Sequence, residues 1–180
     1  MEESKKCFLI TGATRGLGKE ICQHFGGVSV GRSEGADEQG DIQDPAFRSY
    51  LVEKYTPDVF VNNAGISGFD NNYCTVLSTN SQASISLLFS FYQKMNSGHI
   101  FNIGSVASHL SGHSQDLNRM AYVLSKRSLE EASDSLNQMR DKKVKVCYLS
   151  PGLIETTIAT GNKKRTPMKP KDIIDSIEWI

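Results

Sequence analysis

The stretch Thr11-Gly12-Ala13-Thr14-Arg15-Gly16-Leu17-Gly18 lies between two segments of different pattern. The apolar run 7–10 before it predicts a buried strand, and 17–25 after it has apolar residues at helical spacing. A strand that turns through glycines into a helix directs backbone N–H groups and the positive helix end at one point, which suits a pyrophosphate. Gly12 would allow the tight turn, Gly16 the close approach of phosphates and Gly18 the packing of helix on strand. The alternative is a turn that binds nothing, but the position between strand and helix favours a nucleotide site.

The composition indicates a globular protein with no strong field of either sign. A length of 180 residues predicts a single domain, 1–180. Twenty basic residues balance twenty acidic ones, which gives nucleic acid or an anionic membrane no electrostatic attraction. No apolar run reaches the roughly 20 residues of a membrane span, and no signal core follows the N-terminus. The four cysteines lack C-x-x-C spacing. We therefore expect a cytoplasmic protein with reduced thiols and no metal site.

Strand-like and helix-like segments alternate along the chain. Further strands are predicted at 27–31, 58–62, 99–103 and 143–149, with at most a stub of strand near Asp41 and Ile42. Helices are predicted at 45–55, 78–95, 119–140 and 169–180. This alternation predicts an α/β fold, a doubly wound parallel sheet of the Rossmann type with helices on both faces.

Three polar residues could perform acid–base chemistry. Tyr122 and Lys126 are four apart on a predicted helix and share a face, and Ser105 follows a buried strand at the end where α/β sheets bind ligands. A phenol with a pKa near 10 is a poor base at neutral pH, but a nearby ammonium and a cationic nicotinamide would favour the phenolate. The tyrosine could then donate a proton to a carbonyl or accept one from an alcohol. The alternative is a Tyr/Lys pair on a solvated helix face.

Six motifs resemble, in order, those of the short-chain dehydrogenase/reductase family. They are Thr11-Gly12-x-x-x-Gly16-x-Gly18, Asn62-Asn63-Ala64-Gly65, Asn80 in Val76-Leu-Ser-Thr-Asn80, Ser105 in Asn102-Ile-Gly-Ser105, Tyr122-x-x-x-Lys126, and Pro151-Gly152-Leu-Ile-Glu-Thr156. Any one of them is a weak signal, but six in the right order are highly specific. The resemblance covers nearly the whole chain.

The resemblance implies a role for each matching residue. Tyr122 would be the general acid/base, and Lys126 would bind the nicotinamide ribose and lower the tyrosine pKa. Ser105 would hydrogen-bond the substrate oxygen, and Asn80 would anchor a proton-relay water. Asp41 and Ile42 would meet the adenine, and Ile154 and Thr156 the carboxamide. The whole expected cofactor site is Gly12, Thr14, Arg15, Gly16, Leu17, Gly18, Arg32, Ser33, Asp41, Ile42, Asn63, Ala64, Gly65, Tyr122, Lys126, Pro151, Gly152, Ile154 and Thr156.

The sequence departs from the family pattern in three places. The span 32–41 is too short for the family's helix between strands two and three, so we expect a shortened second crossover. Ser105 and Tyr122 are 17 residues apart, an unusually long spacing that leaves Ser108 as an alternative serine. The loop between them contains His109 and His113, which we interpret as lining the substrate entrance in preference to binding a metal. The closing strand and much of the substrate lid are expected to be absent.

The residues after the second predicted strand bear on the choice of cofactor. NAD enzymes usually place an acidic residue there for the ribose 2′-hydroxyl, but this chain has Arg32 and Ser33. An arginine can form charge-assisted bonds to a 2′-phosphate, and Arg15 could add a second cation. We therefore expect NADP(H), while Glu34 and Asp37 leave NAD(H) as the less favoured possibility.

These observations favour an NADPH-dependent carbonyl reductase or alcohol dehydrogenase that acts on a small molecule. One alternative is a non-catalytic, NADP-binding regulatory or scaffold protein, and another is an isomerase or dehydratase on the same scaffold. The basic segment 158–168 hints at an anionic group on the substrate.

The predicted helix 78–95 carries more apolar surface than one core face needs. The first apolar stripe, which would face the core, consists of Ile85, Leu88, Phe89 and Tyr92. The second stripe, which would be left over, consists of Leu87, Phe91 and Met95. The surplus predicts a homodimer through the long helices, unless a broad stripe packs entirely on its own sheet. Lys143 and Lys145 would discourage pairing at the sheet edge.

Overall fold

The computed structural model describes residues 6–68, 71–109, 116–139, 143–154 and 167–179. Its centre is a parallel sheet of six strands, β1 (Phe8–Thr11), β2 (Val28–Gly31), β3 (Glu38–Gln39), β4 (Val59–Asn62), β5 (Ser97–Ile103) and β6 (Lys143–Leu149). The strand order is β3-β2-β1-β4-β5-β6. The order reverses direction between β1 and β4, which is where open α/β sheets bind ligands. The predicted doubly wound fold is confirmed.

Helices cover both faces of this sheet. They are α1 (Gly16–Phe25), α2 (Pro45–Lys54), α3 (Tyr73–Leu77), α4 (Ser84–Lys94), α5 (Leu117–Gln138) and α6 (Pro170–Glu178). A π-helical segment, Ser78–Ala83, joins α3 to α4, and a short 3-10 helix, Val106–His109, follows β5. Asp44 and Asp116 cap α2 and α5, accepting hydrogen bonds at 2.9 Å from the N–H groups of Ala46 and Asn118.

Successive residues of each strand point into different cores. Leu9 and Phe60 belong to the core under α2, α4 and α5, whereas Phe8 and Ile10 belong to the core under α1 and α6. Strands buried on both faces read as continuous apolar runs, which is the pattern that predicted them.

The connection between β2 and β3 is the shortened crossover that the sequence predicts. Residues 32–37 form it without a helix, and its last residue bonds back to β2. The Asp37 carboxylate accepts hydrogen bonds from the Ser29 N–H at 2.8 Å and the Ser29 hydroxyl at 2.6 Å. This tight return places β3 at 38–39, so the predicted stub near Asp41 and Ile42 was three residues late.

The prediction of a surplus apolar stripe on the helix 78–95 was wrong. Leu87, Phe91 and Met95 are buried within the chain's own core, and the Phe91 ring lies 4.4 Å from the Phe60 ring between their centroids. The stripe is broad because α4 packs against α2 and α5 as well as against the sheet. On this helix the apolar side chain that remains exposed is Phe89, at 44%.

β6 forms one edge of the sheet in the described part of the chain. Lys143 and Lys145 on it are exposed, as predicted. The Asn137 carboxamide donates to the Val146 carbonyl at 2.6 Å and accepts from the Val146 N–H at 3.1 Å. These bonds occupy backbone groups that another strand would need.

Within the described ranges, no helix is long and apolar enough to cross a bilayer. The cytoplasmic location stays a prediction.

Candidate active site

The glycine loop after β1 has the backbone shape that the sequence predicts. Gly12 and Gly16 have φ of 67° and 57°, a region that favours glycine. A Cβ on Gly18 would lie 2.4 Å from both the Gly12 carbonyl oxygen and the Asn63 side-chain nitrogen, so α1 can approach β1 this closely only without a side chain there. Arg15 precedes α1 and its side chain does not cap the helix. The first-turn N–H groups therefore remain directed at the space above the loop.

The loop is joined to the neighbouring strand β4 through Asn63 and Ala64. The Asn63 side chain donates to the carbonyls of Thr11 at 2.9 Å and Gly12 at 3.2 Å. In return, the Thr11 hydroxyl accepts from the N–H groups of Asn63 and Ala64, both at 3.0 Å. These four hydrogen bonds fix the loop after β1 against the loop after β4. The direct cofactor contacts expected of Asn63 and Ala64 stay predictions.

Asn80 lies in the π-helical segment, and its side chain is buried. Its carboxamide accepts from the Ile66 N–H and donates to the Ile66 carbonyl, both at 2.8 Å. A Cβ on Gly65 would lie 3.2 Å from the Asn80 carboxamide oxygen and 3.6 Å from Lys126 Nζ. The side chains of Asn80 and Lys126 therefore both border Gly65. π-Helical turns are rare and occur frequently at functional sites.

Lys126 is the most unusual ionisable group of the site. Its side chain is buried, with the residue only 6% exposed, and Nζ donates to the Ile103 carbonyl at 2.9 Å. Nζ also lies 5.9 Å from the centre of the Tyr122 ring. Burial lowers the pKa of Lys126 to about 8, because the charged form loses its hydration.

Burial also disfavours the charged form of Tyr122, and this raises its pKa. The hydrogen bond with the Ser105 hydroxyl lowers the pKa by a smaller amount. From the sequence we expect Lys126 and a bound cationic nicotinamide together to lower the Tyr122 pKa. In the chain by itself, desolvation of the phenolate outweighs the stabilising contacts.

Of the two candidate serines, the geometry favours Ser105. Its hydroxyl contacts Tyr122 and accepts from the Ala107 N–H at 3.1 Å. Ser108 is buried and donates to the Ser105 carbonyl at 2.9 Å, so its hydroxyl supports the turn. His109 lies 3.5 Å from a Glu130 carboxylate oxygen, and His113 lies outside the described residues. No group of three metal-binding side chains occurs among the residues that the structure describes.

The residues predicted to read the adenosine half lie at the ends of β2 and β3. Arg32 is 60% exposed, and its guanidinium lies 3.6 Å from the Asp41 carboxylate. Arg15 and Ser33 are also exposed, whereas Leu17 and Ile42 are buried in the two cores. Thr14 packs on Gly31, where a Cβ would lie 2.7 Å from its methyl group. The side chains of Leu17 and Ile42 therefore pack in the hydrophobic cores.

The segment after β6 returns to the same edge of the sheet. The Pro151 carbonyl accepts from the Val106 N–H at 3.0 Å, and the Gly152 N–H lies 3.3 Å from the Met168 sulfur. Ile154 forms an isolated parallel bridge with Met168 and is half-buried. Thr156 and the basic positions of 158–166 lie outside the described residues.

A comparison with known protein families identifies the family to which this fold belongs. Residues 39–167, more than half of the chain, match the profile described as short chain dehydrogenase. The chain belongs to this family.

Individual relatives agree with this assignment. The 3-oxoacyl-[acyl-carrier-protein] reductase FabG of Buchnera aphidicola is 30% identical over 193 aligned positions, covering 88% of this chain and 77% of the relative. The structure of BdcA in complex with NADPH has a TM-score of 0.81 at 20% identity, covering 98% of this chain and 86% of BdcA. The 3-alpha-hydroxysteroid dehydrogenase from Pseudomonas sp. B-0831, complexed with NADH, has a TM-score of 0.79 at 17% identity, covering 96% and 88%. At these identities the two structures show the shared fold.

One residue beside the family's motifs escaped the sequence argument. Tyr148 on β6 donates its hydroxyl to the Lys126 carbonyl at 3.0 Å. Its ring rests on Gly104, where a Cβ would lie 2.0 Å from the ring carbon that carries the hydroxyl. Gly104, directly before Ser105, was the available sequence signal for a close contact. The sequence did not show that Tyr148 is the residue that makes this contact.

Proposed function

We propose that this chain is an oxidoreductase that transfers a hydride between NADP(H) and the carbonyl or alcohol group of a small molecule. The observation that carries the proposal is the convergence of Ser105, Tyr122, Lys126 and Asn80 beside the glycine loop. Tyr122 and Ser105 share a hydrogen bond, Lys126 Nζ lies 5.9 Å from the centre of the Tyr122 ring, and both Lys126 and Asn80 border Gly65.

The described residues fit a dinucleotide. The left-handed glycines Gly12 and Gly16 and the uncapped start of α1 form a cradle for a pyrophosphate. Lys126 would hold the ribose, and Pro151, Gly152, Ile154 and Thr156 would hold the carboxamide. When bound, the nicotinamide supplies or accepts the hydride.

In this proposal Tyr122 moves the proton of the reaction. For reduction, its hydroxyl donates a proton to the substrate oxygen and becomes a phenolate. The Ser105 hydroxyl hydrogen-bonds the same oxygen and holds it against Tyr122. The Lys126 ammonium favours the phenolate electrostatically, and Asn80 shapes the backbone beside Lys126. Oxidation of an alcohol reverses these steps.

A screen for turnover tests the proposal directly. The purified protein is mixed with NADPH and a panel of aldehydes, ketones and 3-oxoacyl thioesters, the last group chosen because of the Buchnera relative. Loss of the absorbance of the reduced cofactor measures turnover. NADPH binding without turnover on any carbonyl or alcohol would favour the non-catalytic regulatory or scaffold role.

The preference for NADP(H) rests on two exposed arginines near the ends of β1 and β2. Arg32 follows β2 and Arg15 precedes α1, and an arginine can form charge-assisted bonds to a 2′-phosphate. Relatives of the same fold are described with NADPH and with NADH, so the fold alone does not choose. The Asp41 carboxylate lies 3.6 Å from the Arg32 guanidinium. Glu34 and Asp37 nearby keep NAD(H) as the less favoured possibility.

Arg32→Asp should weaken NADPH binding and leave NADH binding equal or improved. Loss of a charge-assisted bond costs roughly 1.5–3 kcal/mol, which corresponds to about ten- to hundredfold in Kd. Fluorescence titration of both cofactors measures the effect. Lys145→Asp makes the same change of charge on β6 and should leave both affinities unchanged. Equal NADPH affinity in Arg32→Asp and wild type would show that Arg32 does not read the phosphate.

We further propose a homodimer through the long helices, now on the exposed side of α4 and α5. Phe89 on α4 is exposed, and α5 presents Leu117, Met120 and Leu124 at intervals of three and four residues. The occupied edge of β6 leaves the helices as the better contact surface.

Phe89→Glu should convert a dimer to monomer, because a two-fold contact repeats each substitution. Light scattering gives the mass. Trp179→Glu, a similar change of an exposed aromatic residue at the end of α6, should leave the dimer intact. A wild-type protein that is monomeric at micromolar concentration contradicts the dimer. Phe91→Glu is unsuitable, because it places a carboxylate in the core.

A further inference from the structure

Tyr148 connects β6 to the strand end that carries Ser105. Its ring lies against Gly104 so closely that any side chain at that position would overlap it. The Gly104 N–H also donates to the Leu149 carbonyl at 2.7 Å, which continues the β5–β6 pairing up to this point. The phenol ring is therefore placed by the last paired residues of the sheet, immediately before Ser105.

The hydroxyl of Tyr148 reaches the helix that carries the other two catalytic residues. It donates to the Lys126 carbonyl at 3.0 Å, while Lys126 Nζ donates to the Ile103 carbonyl at 2.9 Å. Lys126 is thus held at its backbone from β6 and at its side-chain end from β5. Arg127 adds a bond from α5 to the Ser108 carbonyl at 2.6 Å. The bonds from Lys126 to Tyr148 and to Ile103 hold this turn of α5 against the ends of β6 and β5.

The surroundings of Tyr148 keep its hydroxyl protonated and able to donate. Burial is the main cause that raises its pKa, and the Glu130 carboxylate and Tyr122 add to it. Contacts with Ser108 and the Ser105 backbone act in the other direction. A donor that stays protonated at neutral pH maintains the bond to Lys126 throughout the working range.

We propose that Tyr148 is a positioning residue that sets where Lys126 lies relative to Tyr122 and Ser105. The inference rests on the proposed function, because it assumes that Tyr122 and Lys126 act on the substrate proton. Tyr148 itself does not exchange a proton with the substrate. It acts by fixing the position of the α5 turn at Lys126 relative to the segment Gly104–Ser105.

Tyr148→Phe tests this, because it keeps the ring on Gly104 and removes only the hydroxyl. With the tether lost, the Lys126 ammonium stabilises the Tyr122 phenolate less well. We expect kcat to fall on the order of 10- to 100-fold, as small misplacements of catalytic groups do. NADPH affinity should fall by a smaller factor, because Lys126 also holds the ribose while the glycine loop is untouched. We also expect the inflection of the kcat–pH profile assigned to Tyr122 to move to higher pH.

Tyr92→Phe is the matched control. The Tyr92 hydroxyl donates to the carbonyls of Leu136 and Met139, both at 3.4 Å, near the far end of α5. The Tyr92→Phe variant therefore loses a hydroxyl–carbonyl bond to the same helix, at the end remote from Lys126. A merely structural role predicts a similar drop in Tm for both variants and an unchanged pH profile. A positioning role predicts that only Tyr148→Phe changes kcat and the inflection.

Gly104→Ala gives a second approach, since its methyl group must displace the Tyr148 ring. We expect a loss of kcat at least as large as in Tyr148→Phe; if this variant does not fold, Tyr148→Phe decides. Wild-type kcat and an unmoved inflection in Tyr148→Phe, with Tyr122→Phe inactive, would overturn the inference and leave the proposed function standing. An active Tyr122→Phe, or no turnover by the wild type, would overturn the proposed function and the inference with it.

Discussion

Tyr122→Phe should lower turnover by on the order of 10² to 10⁴ while leaving NADPH affinity close to that of the wild type. In the proposed reaction the phenol hydroxyl exchanges a proton with the substrate, and in the structure it shares a hydrogen bond with Ser105. The cofactor is expected to be held by other groups, namely the glycine loop and Lys126. Removal of the hydroxyl therefore acts on kcat and leaves binding largely intact.

The measurement pairs steady-state turnover on an identified substrate with a cofactor titration. Tyr50→Phe, on the exposed side of α2, removes a hydroxyl remote from the site and should behave as the wild type. A Tyr122→Phe variant that retains most of its activity would remove Tyr122 from the role of acid/base. A variant that loses both turnover and NADPH binding would indicate that the site had collapsed.

Lys126→Met should stabilise the cofactor-free protein at neutral pH and abolish most turnover. The pKa of Lys126 falls from its usual 10.5 to about 8 because the ammonium is buried. A difference of one in pKa corresponds to about 1.4 kcal/mol, so the folded state loses roughly 3 kcal/mol by keeping this charge at pH 7. Loss of the bond to the Ile103 carbonyl offsets part of the gain, about 1 kcal/mol.

The sign of the pH dependence follows from which state binds the proton. Between pH 8 and 10.5 the unfolded chain keeps the Lys126 proton and the folded chain releases it, so stability rises with pH in this window. Below pH 8 both states are protonated, and the contribution of Lys126 does not change. The advantage of Lys126→Met over the wild type should therefore be largest below pH 8 and shrink towards pH 10.5.

Chemical denaturation of both proteins at pH 7 and pH 10 measures this difference. Lys145→Met, which removes an exposed ammonium from β6, should change stability by no more than about 0.5 kcal/mol. A Lys126→Met variant that is less stable than the wild type at pH 7 would show that the bond to Ile103 outweighs the cost of the buried charge.

The sequence by itself determined the sheet, the glycine loop and the family to which the chain belongs. Continuous apolar runs predicted β1, β4 and β5, since strands buried on both faces leave that local signature. The glycines at 12 and 18 predicted the strand–turn–helix junction because backbone conformation and close approach act within a few residues. The spacing of Tyr122 and Lys126 predicted a shared face of one helix, which is also a local property.

Only the tertiary structure decided what depends on contacts between distant segments. It showed that Phe91 packs on Phe60, which corrected the surplus stripe, and that β3 lies at 38–39 because Asp37 bonds back to Ser29. It placed Tyr148 between Gly104 and the Lys126 carbonyl, across three elements. It also showed that burial raises the Tyr122 pKa in the chain without cofactor. Burial is set by the whole chain packed around a group, and a sequence pattern within one element contains no information about the atoms that another element brings against it.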